Sequence, residues 1–266
     1  MLDTKKIKII IRKEWAEVFK NRMVIFSVLF MPLLFTAIPL IFLFTMRSTG
    51  STDNLTSDMP SQFTAFCKPG LNGGECFQIY MVSQFILLYM IVPLIIPVNI
   101  AAYSIVGEKA THSLEPLLAT PITTAELLAG KNLAAVIPAV LATWIGFGLY
   151  ALGASLLVEN PLVLSALIDP MWLLAIFLVG PLLAVLAVNF SIMVSSRVND
   201  PRVAEQLSSI VIVPVLGLFF GQISGLLLLN NRVVIAFAAG LLVLDGLMVT
   251  LAVRLFQRET ILTRWK

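Results

Sequence analysis

The stretch Ile86-Leu-Leu-Tyr-Met-Ile-Val-Pro-Leu-Ile-Ile-Pro-Val-Asn-Ile-Ala-Ala102 decides the fold. It carries no charged side chain and lies inside a longer uncharged run, 78–106. An α-helix needs about 20 apolar residues to cross a bilayer. Five further runs have the same character, at 23–46, 132–158, 171–196, 206–229 and 233–256, and Asp245 is the one acid in mid-run. Spanning backbone has to satisfy its own hydrogen bonds, and these runs are continuous rather than alternating. They therefore read as helices and not as strands of a barrel. The expected fold is all-α: a polytopic membrane protein with six transmembrane helices, forming a single domain over residues 1–266.

Composition agrees. Of 266 residues only 12% are charged and 59% are hydrophobic, with a mean hydropathy of +0.96. Soluble domains average about 25% charged and 45–50% apolar residues. A chain this apolar cannot cover its surface with polar groups, which excludes a soluble enzyme, a disordered regulator and a nucleic-acid binder. One histidine and two cysteines are too few for a four-ligand zinc site.

Basic residues alternate between the loops. One side holds Lys5, Lys6, Lys8, Arg12, Lys13, Lys20, Arg22, Lys109, Lys131, Arg197, Arg202, Arg254, Arg258, Arg264 and Lys266; the other holds Arg47, Lys68 and Arg232, fifteen against three. The positive-inside rule then puts both termini in the cytosol. An even number of crossings agrees. The first run is longer than a signal core and lacks an A-x-A site, so it is expected to stay as a permanent helix.

Residues 4–22 read as an amphipathic elbow helix on the cytosolic membrane surface (within a 1–22 elbow region). Ile7, Ile10, Ile11, Trp15 and Val18 recur on one side, with Phe19 at its end, and Lys5, Arg12, Lys13 and Lys20 fall opposite. Glu14 intrudes on the apolar face. The loop 47–77 faces outward. Its Cys67 and Cys76, separated by turn-rich sequence, are expected either to form a disulfide in an oxidising compartment or to remain two free thiols.

The segment 107–131 is the cytosolic loop between the second and third spans. Ser113 can cap a short helix carrying Leu114, Leu117 and Leu118 on one face. Thr120-Pro121 ends it, and Thr123 with Glu126 forms a capping-box pattern for the next helix. From pattern alone, the apolar face seats either on a protein partner or on the lipid surface. Farther on, Asp200-Pro201 reads as a helix start, so that the fifth helix begins in the cytosol and runs about 30 residues.

Catalytic patterns are missing. Ala125 to Asn132 resembles a phosphate-binding loop but has Ala125 and Asn132 where that loop needs Gly and Ser or Thr. This chain is therefore expected to bind no ATP and no other cofactor. Gly221-Gln-Ile-Ser-Gly225 is not a nucleophile elbow. The remaining candidates are polar groups inside the spans, since a charge at mid-bilayer costs about 2.5–3.5 kcal/mol on insertion scales. Asp245 reads either as a proton, cation or cationic-substrate contact or as a hydrogen-bond partner of a neighbour such as Asn189; Asn189 and Gln222 are weaker candidates. Seven prolines, Pro32, Pro39, Pro93, Pro97, Pro138, Pro181 and Pro214, are expected to interrupt five of the six spans.

Glu108-Lys109, then Ser113-Leu114-Glu115-Pro116-Leu117-Leu118-Ala119-Thr120-Pro121, then Glu126 and Gly130-Lys131, resemble the cytosolic loop of ABC-2 type transporter permeases. The elbow, the six spans and the inward termini resemble that family over essentially the whole chain. The resemblance implies the permease subunit of an ATP-driven exporter in the cell membrane, one half of a pathway formed with a second permease subunit, identical or different. It implies a separate ATPase subunit that binds ATP and Mg and docks on the short helix in 107–131, with Glu108, Lys109, Ser113, Leu114, Glu115, Leu117, Leu118, Thr120, Pro121 and Glu126 as coupling residues and Ile11, Trp15 and Phe19 in the elbow. The alternative is an ion-coupled secondary transporter using Asp245, although no inverted repeat is visible.

Overall fold

The structure, a computed structural model, describes residues 3–49, 67, 70–110, 122–227 and 229–255. Among these there is no strand. Helix α1 is Thr4–Val18 and α2 is Arg22–Thr49. Then come α3 (Gly73–Tyr89), α4 (Val92–Ala110), α5 (Thr124–Leu157), α6 (Pro161–Leu167) and α7 (Pro170–Leu174). A π-helical turn over Ala175–Val179 leads into α8 (Gly180–Arg197). The last elements are α9 (Pro201–Ser208), a 3₁₀ turn over Ser209–Ile212, α10 (Val213–Ile223) and α11 (Asn231–Leu255).

Counted through their breaks, six helical runs are long and apolar enough to cross a membrane: Val24–Ser48, Gly73–Glu108, Thr124–Leu157, Pro161–Arg197, Pro201–Ile223 and Asn231–Leu255. The expected six-span all-α architecture is observed. Several boundaries move, and capping explains where. Span two begins at Gly73 rather than 78, because Asn72 and Glu75 close a reciprocal capping box. Thr123 and Glu126 do the same for α5, as their spacing predicted, and carry that helix back to Thr124. Span four starts at Pro161 behind an Asn160 cap. The fifth span does begin at the Asp200 cap and Pro201. It ends at Ile223 after 23 residues instead of about 30. Gly225 takes a left-handed φ of 72° just beyond it, the usual stop for a helix C-terminus.

Proline behaves differently from the expectation. Pro32, Pro39, Pro97 and Pro138 sit inside continuous helices, and spans one and three are unbroken. The breaks fall in spans two, four and five, where Pro93, Pro181 and Pro214 each sit at the start of a new helical segment. At Pro93 the missing N–H belongs to a first turn that has no partner for it anyway, whereas Pro181 and Pro214 follow π and 3₁₀ turns that run directly into α8 and α10.

Spans two and four form the centre, α8 packing against α4 more extensively than any other pair. The most apolar part of span two is 78% buried, against 22% for spans five and six, which therefore face outward from the bundle. Close packing is specific in places. A Cβ on Gly146 would stand 2.3 Å from Tyr89 Oη and 3.3 Å from Pro32 Cβ, so only glycine lets α2, α3 and α5 meet there. Tyr89 Oη then donates to the Thr143 carbonyl at 2.7 Å.

Candidate functional site

Helix α1 lies across the start of α5 and the end of α4. Its buried stripe is Ile10, Glu14 and Val18, at successive intervals of four. Glu14, expected as an intruder on an apolar face, is instead the centre of the contact. Lys131 of α5 donates to Glu14 Oε1 at 2.8 Å and pairs with Glu108 Oε2 of α4 at 2.8 Å. Their side chains are only 3–4% exposed. Ser104 donates to Glu14 Oε2 and receives a bond from Lys131 at 2.8 Å. Lys13 was expected on the opposite, solvated side. It reaches in to Glu108, with Glu14 at 3.8 Å and the exposed Glu17 at 3.7 Å. Two lysines thus neutralise two buried carboxylates.

The electrostatics follow from that arrangement. Burial pushes the Glu14 carboxyl up, but Lys131, Ser104 and Lys13 outweigh it and hold the group below the ordinary glutamate range. Burial likewise pulls Lys13 down, and the carboxylates of Glu108, Glu14 and Glu17 outweigh it, leaving the ammonium above its usual value. Glu14 and Lys13 are therefore charged together at neutral pH.

Four more contacts fix the joint. Pro138 has no N–H, so the Ala134 carbonyl four residues earlier in α5 loses its helical partner. Trp15 Nε1 of α1 supplies one at 2.8 Å. Gly130 accepts Ile10: a Cβ there would lie 2.6 Å from Ile10 Cγ2 and 2.8 Å from its Cβ. At the N-terminus of α1, Glu126 takes the Asp3 amide at 3.1 Å through Oε1. Lys6 Nζ lies 3.6 Å from its Oε2.

Of the residues singled out in the sequence, Glu108, Glu126, Ile11, Trp15 and Phe19 gather at this joint. Ile11 and Phe19 are half-buried, and Phe19 packs edge-on to Trp15 at 6.5 Å. Ser113, Leu114, Glu115, Leu117, Leu118, Thr120 and Pro121 lie outside the described residues, as does the side chain of Lys109. The cluster members Lys13, Glu14, Ser104 and Lys131 had no assigned role. A usable signal existed: Glu14 falls between Ile10 and Val18 on the apolar face of its helix and Lys131 follows the apolar stretch Leu127 to Gly130, and opposite charges so placed seek one another.

The intramembrane candidates do not assemble. Asn189 accepts from Asn132 at 3.3 Å and donates to the Val185 carbonyl at 2.9 Å. It does not bond Asp245, whose two carboxylate oxygens are buried without a hydrogen-bond partner among the described residues. Gln222 sits far from both, in the wall of a cavity at the opposite end of span two from Glu108. Cys67 and Cys76 line the same cavity and are joined as a disulfide, with Cα atoms 5.6 Å apart. Among the described residues no group of three or more metal-ligating side chains occurs.

The six-helix bundle is apolar, with a charged joint between the end of the second span and the start of the third. Residues 8–244 match the family described as ABC-2 family transporter protein. The chain belongs to that family. It is thus a membrane component of an ABC transporter, a permease, and membership implies an ATPase partner and a membrane environment. No curated protein matches the permease.

Proposed function

We propose that the permease forms half of the translocation pathway of an ATP-driven exporter and takes its motion from a separate ATPase through residues 107–131. The single observation that carries this reading is the Lys131–Glu108 pair. It ties the two roots of that segment together and, through Glu14, to α1. A force on residues 111–121 then moves α4, α5 and α1 as one body, because separating them would strand buried charges. The apolar face of Leu114, Leu117 and Leu118 is the seat for the ATPase, which binds ATP and Mg. The basic balance of the loops puts this joint and both termini on the cytosolic side of the cell membrane. A second permease subunit completes the pathway. The test is Leu117→Asp in the permease–ATPase complex. The expected result is loss of transport and of ATPase stimulation, with the permease still folded in the membrane; full coupled transport overturns the docking assignment.

Asp245, a buried acid without a hydrogen-bond partner among the described residues, is suited to a proton or cation, but the alternative of an ion-coupled secondary transporter does not accord with membership of an ABC transporter family. Transport into sealed vesicles tests the ATP-driven reading: ATP without an ion gradient drives transport, and a gradient without ATP does not.

A further inference from the structure

An amphipathic surface helix ordinarily lays its apolar stripe in the membrane and turns its charges to water. In α1 the buried stripe is turned onto the protein instead: Ile10, Glu14 and Val18 pack against α5 and α4. The face left over is the opposite one, and it is basic. Lys5, Lys8 and Arg12 recur there at helical spacing and are exposed, and Lys20 and Arg22 are exposed at the turn into α2. Among the described residues none of these five cations makes an ion pair, whereas Lys6, Lys13 and Lys131 each do. The exposed acids of α1 are already engaged. Asp3 caps the helix by accepting the Lys5 amide, and Glu17 lies 3.7 Å from Lys13.

The depth of that face follows from the spans. Thr36 of α2 donates to the Gly146 carbonyl and Arg47 to the Leu156 carbonyl, so α2 and α5 run side by side in the same sense. By that register Val24, where the first span begins, is about level with Ala134. Residues 124–134 of α5 therefore extend about 15 Å past the start of the first span. Helix α1 lies along this extension, with Asp3 at Glu126, Ile10 at Gly130 and Trp15 at Ala134. Headgroups add about 5–8 Å to each side of the hydrocarbon core. The Trp15 end of α1 is thus at headgroup depth, and Lys5 is within about one Debye length of the lipid phosphates.

We propose that the basic face of α1 is a docking surface for anionic phospholipid headgroups, which gather against Lys5, Lys8 and Arg12. Charge complementarity and position select that occupant. Span one tethers the C-terminal end of α1 to the bilayer, so the helix cannot leave the surface, and each unpaired cation held there favours anionic lipid about fivefold. Ile9, 69% exposed, is the one large apolar side chain on the free side of α1, too little to anchor the helix by hydrophobic area. The opposite side of the same helix holds Glu14 against Lys131, so lipid bound to one face steadies the joint on the other. The inference concerns the permease alone in a bilayer, and its failure leaves the ATPase-coupled reading intact.

The test uses the purified full chain in nanodiscs, with a fluorophore on Ala16→Cys, an exposed position of α1. Cys67 and Cys76 are joined to each other and do not take the label. Phosphatidylglycerol and phosphatidylcholine, each carrying a nitroxide near the headgroup, quench the fluorophore in proportion to their presence beside α1. Phosphatidylglycerol should be enriched at least tenfold over phosphatidylcholine at low salt, and the enrichment should fall steeply by about 0.5 M salt. Lys5→Gln/Lys8→Gln/Arg12→Gln should remove most of that preference at an unchanged melting temperature. The charge-keeping Lys5→Arg/Lys8→Arg/Arg12→Lys should retain it, and Ile9→Ser should leave it alone. Equal quenching by the two lipids overturns the proposal, and it is the result expected if this face seats an acidic surface of the ATPase. A preference that ignores salt, that survives the three glutamines, or that disappears with Ile9→Ser overturns it as well.

Discussion

The two ends of the bundle handle charge in opposite ways. At the α1 end, Lys131, Glu14 and Glu108 are almost wholly buried and pair at 2.8 Å. At the other end, Arg47 and Glu159 pair at 2.7 Å with side chains 49% and 79% exposed, in the wall of an open cavity of about 600 Å³. Taking charges out of water costs several kcal/mol per ion, so the first arrangement is a poor way to gain stability over an apolar core. What it gains is fixity, since α1, α4 and α5 cannot separate without exposing unpaired charge to a dry interior. The open end has no such constraint. One end is a joint and the other is a mouth.

Removing the cation at the joint should have the largest effect. Lys131→Met leaves Glu14 and Glu108 facing each other with only the partly exposed Lys13 nearby. We expect a loss of about 3–5 kcal/mol, the range for stripping one partner from a buried pair, read as a lower unfolding midpoint in detergent. ATPase coupling should fall in parallel. A double variant Lys131→Met/Glu14→Gln should recover part of the stability, and no recovery would show that the pair is not the coupled unit.

Acid sharpens the same contrast. The folded Glu14 carboxyl lies below its ordinary value of 4.5, so its stabilising contribution is present above that pH and is lost as pH falls through the depressed folded value. Lys13 has the opposite sign: raised above 10.5, its contribution is present at lower pH and disappears as pH rises through the folded value. Detachment of α1, followed by fluorescence of Trp15 in a variant lacking the other tryptophans, should therefore begin below about pH 4 and leave neutral pH untouched. A detachment midpoint near pH 7 would remove Glu14 from the joint.

Steric blocking at the joint comes next. Gly130→Val places methyl groups against Ile10, whose atoms already approach within 2.6 Å of a single added Cβ. Overpacking of this kind costs about 1–3 kcal/mol. Gly148→Val has open space around its Cβ and should cost little steric energy, which makes it the matched control. Equal losses at the two sites would mean that α1 is not seated on Gly130.

The sequence spoke clearly about some of this and not about the rest. The six spans were legible because each is a long apolar run, and the caps at Thr123 and Asp200 depend on neighbours within three residues. The joint was not, because its central pair, Glu14 and Lys131, lies 117 positions apart. Glu14 meets Lys131 only after α1 folds across α5, and along the helix alone it looks like a flaw in an apolar stripe. The Trp15 bond is hidden for the same reason. Pro138 announces an orphaned carbonyl, but nothing local says which donor will find it. The end of the fifth span was misjudged because its apolar run continues to Leu229, while the backbone turns at Gly225. Apolar composition reports what tolerates lipid, and it does not report where the chain turns.

The smallest effect belongs to the exposed pair. Arg47 donates to Glu159 and, at 3.3 Å, to the Leu156 carbonyl, tying the end of α2 to the end of α5. Both side chains are solvated, so the attraction is screened and ordering two flexible side chains offsets much of it. Glu159→Gln should cost less than about 1 kcal/mol, and that difference should shrink in 0.5 M salt. The Lys131→Met loss should change little with salt, because its partners are shielded from ions by the protein. Salt dependence therefore tests the contrast without reference to magnitude. If both losses respond to salt alike, the α1 end is wetter than its burial indicates, and a joint that admits water could slip instead of transmitting force.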